Sequence, residues 1–239
     1  MTRARIQAVF LDVGGTLADP DPSFHEVIAR VCQRSGLAVS AAEVARVEPL
    51  VWSELAALGL GYPLTAEESR RYWRTVYQAF GRHFGATDCA ALAEEIARAF
   101  VDLRTWRLYP DAGDALPALR ARGYRLVAVS NWEAWLEELL EHLGVLGYFD
   151  AVVSSTRAGV AKPDPRLFRA ALDLVGLEPA EVVHVGDSPT HDAAPAAAAG
   201  IRPVLVDRQD RYSDFPGLRL PDLRPLPDLL DRDLRQSSG

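Results

Sequence analysis

Five short apolar runs, Ile6–Leu11, Arg125–Val129, Ala151–Ser154, Glu181–Val185 and Pro203–Val206, set the strongest constraint on this chain. They are nearly continuous rather than alternating, the pattern of strands buried on both faces. From Tyr109 onward they alternate with segments of helical periodicity: Ala112–Arg122, Trp135–Leu143, Pro165–Val175 and Ala193–Ala199. Gly123, Gly176 and Gly200 close three of these segments, as glycine commonly closes helices. Such alternation builds βαβ units and a parallel sheet covered by helices. The expected fold class is therefore α/β, with a Rossmann-like parallel-sheet core.

Between the first run and the others the period changes. Ser23–Ser35, Ala41–Leu58, Ala66–Phe84 and Cys89–Leu103 read as helices, punctuated by Gly36, Gly59, Gly61 and Gly85. Thr65 with Glu68 three residues on has the spacing of a capping box. No convincing strand is expected in this block. The first run belongs with the later strands, so the block is an insertion. The expected division is a core of residues 1–19 and 107–239 and an all-helical inserted domain of residues 20–106. One more strand–helix step is expected after Asp207, and a disordered tail at Gln236–Gly239.

Composition excludes some classes of function. The net charge is −7 and arginine is scattered, so the basic stripe of a nucleic-acid surface is missing. A small anionic substrate stays compatible, because a pocket can be locally positive on an acidic protein. No stretch is long and apolar enough to span a bilayer. Arg3 and Arg5 precede a run that Asp12 interrupts, which reads as a strand rather than a signal peptide. Cytoplasm is the expected compartment, with Cys32 and Cys89 as reduced thiols. Oligomeric state is not specified by the sequence.

Ligands of parallel α/β sheets bind beyond the carboxyl ends of the strands. The polar residues there are Asp12, Ser130-Asn131, Ser154-Ser155, Gly186-Asp187 and Asp207. Lys162, in a loop on the same side, is the only lysine among 26 lysines and arginines. A compact ammonium and a planar guanidinium are not interchangeable, so its identity invites a functional reading. The set suits phosphoryl transfer. A carboxylate such as Asp12 can attack phosphorus, Asp12 and Asp187 offer oxygen ligands for Mg²⁺, and Lys162 can neutralise the transferring group. Ser130, Asn131 and backbone N–H groups of the glycine turn, Gly15 among them, would hold phosphate oxygens.

The residues also resemble the haloacid dehalogenase-like superfamily, with a helical cap inserted after the first motif. Asp12-Val13-Gly14-Gly15-Thr16 is similar to its first motif, usually Asp-x-Asp-Gly-Thr. Ser130 in VAVSN, Lys162 in GVAKPDP, and Gly186-Asp187 with Asp192 in VGDSPTHD match the other three in order. The resemblance covers residues 10–200. It implies Asp12 as nucleophile and Asp12, Asp187 and the Gly14 carbonyl as Mg²⁺ ligands. It further implies that Asp192 orients the metal site and that Ser130 and Lys162 bind phosphate. The implied function is a Mg²⁺-dependent phosphatase for small phosphorylated metabolites that works through an aspartyl-phosphate.

One departure bears on that function. Phosphatases of the superfamily usually carry, where Gly14 stands, an Asp that protonates the leaving oxygen and later activates water. Glycine does neither, although general acid–base help contributes on the order of 10²–10⁴-fold. Restoring Asp at this position is expected to raise turnover of poor leaving groups, if the carboxyl fits. Asp19, Asp21, His25 and His191 are candidate substitutes. A smaller departure is Pro195, where Gly is common, expected in the first turn of its helix. Two other readings stand beside the phosphatase: hydrolytic dehalogenation of 2-haloacids through Asp12, and a non-catalytic family member that binds a ligand or partner.

Overall fold

The structure is a computed structural model that describes residues 5–236. The chain forms two compact units, residues 1–18 with 108–239, and residues 19–107. In chain order it runs β1 (Ala8–Leu11), β2 (Ala18–Pro20), α1 (Phe24–Arg34), α2 (Ala41–Ala57), α3 (Ala66–His83), α4 (Cys89–Val101) and β3 (Trp106–Leu108). It continues α5 (Pro110–Ala121), β4 (Arg125–Ser130), α6 (Leu136–His142), β5 (Ala151–Ser154), α7 (Ser155–Ala158) and α8 (Arg166–Val175). The last elements are β6 (Val182–Gly186), α9 (Ala194–Ala198), β7 (Arg202–Val206), β8 (Leu218–Leu220) and α10 (Leu226–Gln236).

The first unit is built on a six-stranded sheet of order β5-β4-β1-β6-β7-β8, in which neighbouring strands pair in parallel. All four residues of β1 and all five of β6 are buried, as continuous apolar strands inside a two-faced sheet must be. Leu167, Phe168, Ala171 and Leu172 of α8 pack with Phe10, Val127, Val129 and Val182 in one cluster. Register brings the strand ends level. Leu11 stands beside Ala128 and Val185, and Ser130 beside Ser154. Asp12, Ser130 and Asp187 thereby leave the sheet along a common edge.

The second unit holds α1 to α4 around its own core, in which Ile28, Val44, Val51, Val76, Phe80 and Ile96 are buried. Three of its four helices begin where hydroxyl side chains take up free N–H groups, and α4 begins at the carboxylate of Asp88. Ser23 with Glu26, Ser40 with Glu43 and Thr65 with Glu68 all form reciprocal capping boxes. Among the described residues the block Ser23–Leu103 holds no strand, as expected; β2 and β3, which flank it and were not anticipated, pair as a two-stranded sheet. Three-residue strands are too short to show a period. Gln236, expected in a disordered tail, closes α10; Ser237–Gly239 and Arg3 lie outside the described residues. Pro195 falls in the first turn of α9, after a wide π-type turn at Pro189–Ala193. Both cysteines are free thiols, and burial pushes that of Cys32 up to about 11. No helix among the described residues is long and apolar enough to cross a membrane.

One arginine braces the loop after β1. Arg208 donates from Nη1 and Nη2 to the two carboxylate oxygens of Asp111, both at 2.9 Å. It donates further to the carbonyls of Thr16, at 2.7 Å, and Gly15, at 3.2 Å. Its guanidinium lies 3.7 Å over the Tyr109 ring. The forked planar donor set suits a bidentate carboxylate and an aromatic face together. Burial pushes the Asp111 carboxyl up, but Arg208 and the Leu223 N–H outweigh it and hold the pKa below the usual carboxylate value. Asp111→Ala leaves a largely buried guanidinium without its carboxylate and is expected to cost about 3 kcal/mol, read from the shift in denaturant midpoint. A lowered folded-state pKa stabilises above the ordinary carboxylate pKa and stops doing so as pH falls through the lowered one. The gap between wild type and Asp111→Ala is therefore expected to be full at neutral pH and to close at strongly acidic pH.

Candidate active site

The site grows from the ends of β1, β4 and β6 and from the loop that carries Lys162. The Asp12 N–H donates to the Val185 carbonyl at 2.9 Å, so the sheet pairing fixes the first residue of the loop. Lys162 is 3% exposed. Its ammonium lies 2.8 Å from Asp12 Oδ1, a coulombic contact rather than an aligned hydrogen bond, and donates to Asp192 Oδ1 at 2.6 Å. Asp192 is held from two further sides. The Ser188 N–H donates to Oδ2 at 3.0 Å, and the buried His184 lies 3.0 Å from Oδ1 through Nε2. An ionised carboxylate only accepts, so Nε2 carries the His184 proton.

Charge and burial compete here. Burial, reinforced by Asp192 and opposed by Lys162, leaves the Asp12 carboxyl above its ordinary pKa. Burial also acts against the charged form of Asp192, but Lys162 and His184 outweigh it and hold this carboxyl well below the usual range. For Lys162 the two carboxylates overcome burial and keep the ammonium charged. Asp12, Asp187 and Asp192 can each bring one oxygen within 4.8 Å of the others. Three carboxylates against one ammonium leave an excess of two negative charges, which a divalent cation neutralises. The hard oxygen donors suit Mg²⁺.

Two glycines let these groups approach so closely. Gly15 has φ +73°, and a Cβ there would stand 2.5 Å from Asp187 Oδ2. A Cβ on Gly186 would stand 2.2 Å from the Asp192 carboxyl carbon. Any other residue at either position would displace a carboxylate.

The sequence profile described as haloacid dehalogenase-like hydrolase matches residues 6–200. This chain belongs to that family. A haloacid dehalogenase-like hydrolase domain-containing protein 3 from Bos taurus is 38% identical over a stretch covering 62% of this chain and 59% of that protein. A phosphoserine phosphatase from Thermus thermophilus is 34% identical, and the match covers 97% of both chains. The solved structure of a HAD phosphatase from Thermococcus onnurineus superposes with TM-score 0.62 at 25% identity, covering 94% of this chain and 98% of that one.

In this family member the expected residues are placed as follows. Asp12, Lys162, Asp187 and Asp192 converge, and Ser130 is buried near enough to favour the charged form of Asp12. Asn131 was expected to hold phosphate, but its amide oxygen and one N–H are committed to the Lys162 backbone, at 2.8 and 2.9 Å. It thus fixes the lysine loop. Gly15 was expected among the phosphate-binding residues; its N–H donates to the Ala18 carbonyl at 3.0 Å within the turn. Asp207, read as a rim residue, accepts from the Arg211 and Tyr212 N–H groups and from Arg219, and shapes its own loop. Of the candidate substitute acids, His25 pairs with Glu48 at 2.8 Å within the helical unit, and His191 sits on an exposed turn beside Ser188 and Thr190.

Sequence reading passed over His184 and Trp132. A histidine inside the otherwise apolar β6 run was the available signal for the first. For the second it was only adjacency to Ser130-Asn131. Lys162→Arg is expected to lower turnover on the order of 10²-fold, the typical consequence of a misplaced site. The wide guanidinium cannot contact Asp12 and Asp192 from the place of one nitrogen. Steady-state kinetics on the folded variant checks this, and wild-type turnover would refute it.

Proposed function

We propose that this chain is a Mg²⁺-dependent phosphatase for small phosphorylated compounds, with Asp12 as nucleophile. The buried Lys162 ammonium between Asp12 and Asp192 is the observation that carries the reading. It puts one fixed positive charge against the attacking oxygen in a site otherwise built of carboxylates. The phosphoserine phosphatase and glyceraldehyde 3-phosphate phosphatase among its relatives support the same class of substrate.

In this reading an Asp12 oxygen attacks phosphorus. The ester P–O bond breaks, its electron pair leaves with the alcohol oxygen, and an aspartyl-phosphate forms. Water then attacks phosphorus, and inorganic phosphate and the Asp12 carboxylate are released. Lys162 and Ser130 hold the phosphoryl oxygens, and Asn131 keeps the lysine loop in place. Asp12, the Gly14 carbonyl and Asp187 would hold Mg²⁺, oriented by Asp192. Bound there, the ion would neutralise charge on the transferring group.

Gly14 supplies no proton, so the leaving oxygen departs as an anion. Aryl and acyl phosphates, whose leaving groups are acidic, are expected to turn over far faster than alkyl phosphates. The phosphoenzyme also lacks a base to activate water and is expected to accumulate. A panel of both ester types, assayed with and without Mg²⁺, tests this, with acid-quench detection of phosphoenzyme. Asp12→Asn is expected to abolish phosphate release, and Asp187→Ala to abolish its Mg²⁺ dependence together with most turnover. Equal rates on alkyl and aryl esters without phosphoenzyme would mean that another acid serves. Release of halide from 2-haloacids without any phosphate release would overturn the phosphatase reading.

A further inference from the structure

Two adjacent glycines follow the nucleophile, and they are glycine for different reasons. Gly15 has a left-handed backbone and Asp187 pressed against it. Gly14 has no such backbone, since it is not among the positive-φ glycines. A side chain at position 14 meets one obstacle. A Cβ there would lie 3.3 Å from Cζ3 of Trp132, closer than carbons comfortably pack.

The backbone that carries this indole is fixed. The main-chain N–H of Trp132 donates to Ser155 Oγ at 3.1 Å, and the main-chain carbonyl accepts from Ser155 Oγ at 3.2 Å and Thr156 Oγ1 at 3.1 Å. Its ring meets Trp135 edge to face at 5.4 Å, and the residue is 8% exposed. Ser155 opens α7, directly after β5, so the sheet anchors the tryptophan from behind. A tightly packed aromatic with a fixed backbone yields little to an added group.

We propose that Trp132 is a specificity-determining residue of this site. It keeps position 14 a glycine and sets the Cζ3 edge of an indole where a carboxyl two residues past the nucleophile would stand. The missing acid is thus half of a pair, Gly14 with Trp132, and not a single loss. An apolar aromatic wall beside Gly14 favours an ester whose alcohol portion is aromatic over a polyhydroxylated one. This rests on the phosphatase reading above.

The test is a double-mutant cycle of Gly14→Asp, Trp132→Ala and their combination, each measured for thermal midpoint and for kcat and KM on an aryl phosphate and on glycerol phosphate. Gly14→Asp alone is expected to lower the thermal midpoint and to leave glycerol phosphate turnover no better. Trp132→Ala alone is expected to raise KM for the aryl ester more than it lowers kcat. The double variant is expected to gain glycerol phosphate turnover on the order of 10²–10⁴-fold over Trp132→Ala. Trp132→Leu keeps more of the buried volume and takes the place of Ala if that variant does not fold. A Gly14→Asp single variant that gains alkyl activity without loss of stability would overturn the proposal. So would strictly additive thermal shifts, because independent sites do not share a contact. If wild type releases phosphate from no ester, the phosphatase reading fails by itself. The thermal cycle still decides whether positions 14 and 132 are coupled.

Discussion

A buried ammonium needs partners that repay its desolvation, and Lys162 has two. The surrounding structure keeps that arrangement in place. Asn131 ties the lysine backbone to the end of β4, His184 and the Ser188 N–H pin Asp192 from behind, and the sheet pairing fixes Asp12. Removing the lysine would leave two carboxylates facing each other with little water, and removing either carboxylate would leave a cation half satisfied. Such a cluster is weak evidence for stability and stronger evidence for a site whose electrostatics are set before substrate arrives.

The sheet makes this possible because its parallel strands end level. Residues far apart in sequence become neighbours without any one loop having to reach far. The price of that convergence is crowding, visible at Gly15 and Gly186, where a single methyl group would collide with a carboxylate. At Gly14 the crowding comes from an indole instead, so similar glycines in one motif answer to different neighbours.

Much of this was legible in the sequence. Buried parallel strands announce themselves as uninterrupted apolar runs, and Asp12, Ser130, Asp187 and the lone Lys162 stood out as polar residues at or near their ends. The capping box at Thr65 was readable because it is a local pairing of side chain and backbone. What escaped were relations between distant segments. Nothing local reveals that the Asn131 amide bonds the Lys162 backbone or that the Gly15 N–H bonds the Ala18 carbonyl. Asp207 sits at a strand end like the site residues, but Arg219 and two backbone N–H groups claim it. The strands β2 and β3 are three residues each, too few to show alternation. The contact of Trp132 with Gly14 joins two motifs that are separated by the entire helical block.

The grip of Arg208 on the Gly15 and Thr16 carbonyls has a consequence for how the protein is made. A ribosome delivers the Asp12 loop well before the arginine that braces it. Helices α1 to α4 have a core of their own to assemble in the interval, and domains commonly fold as they emerge. The Asp12 loop has no such early option, since Lys162, Asp187, Asp192 and Arg208 all arrive later. A nascent chain interrupted before Arg208 would therefore carry every motif and still lack the brace on the Gly15 and Thr16 carbonyls.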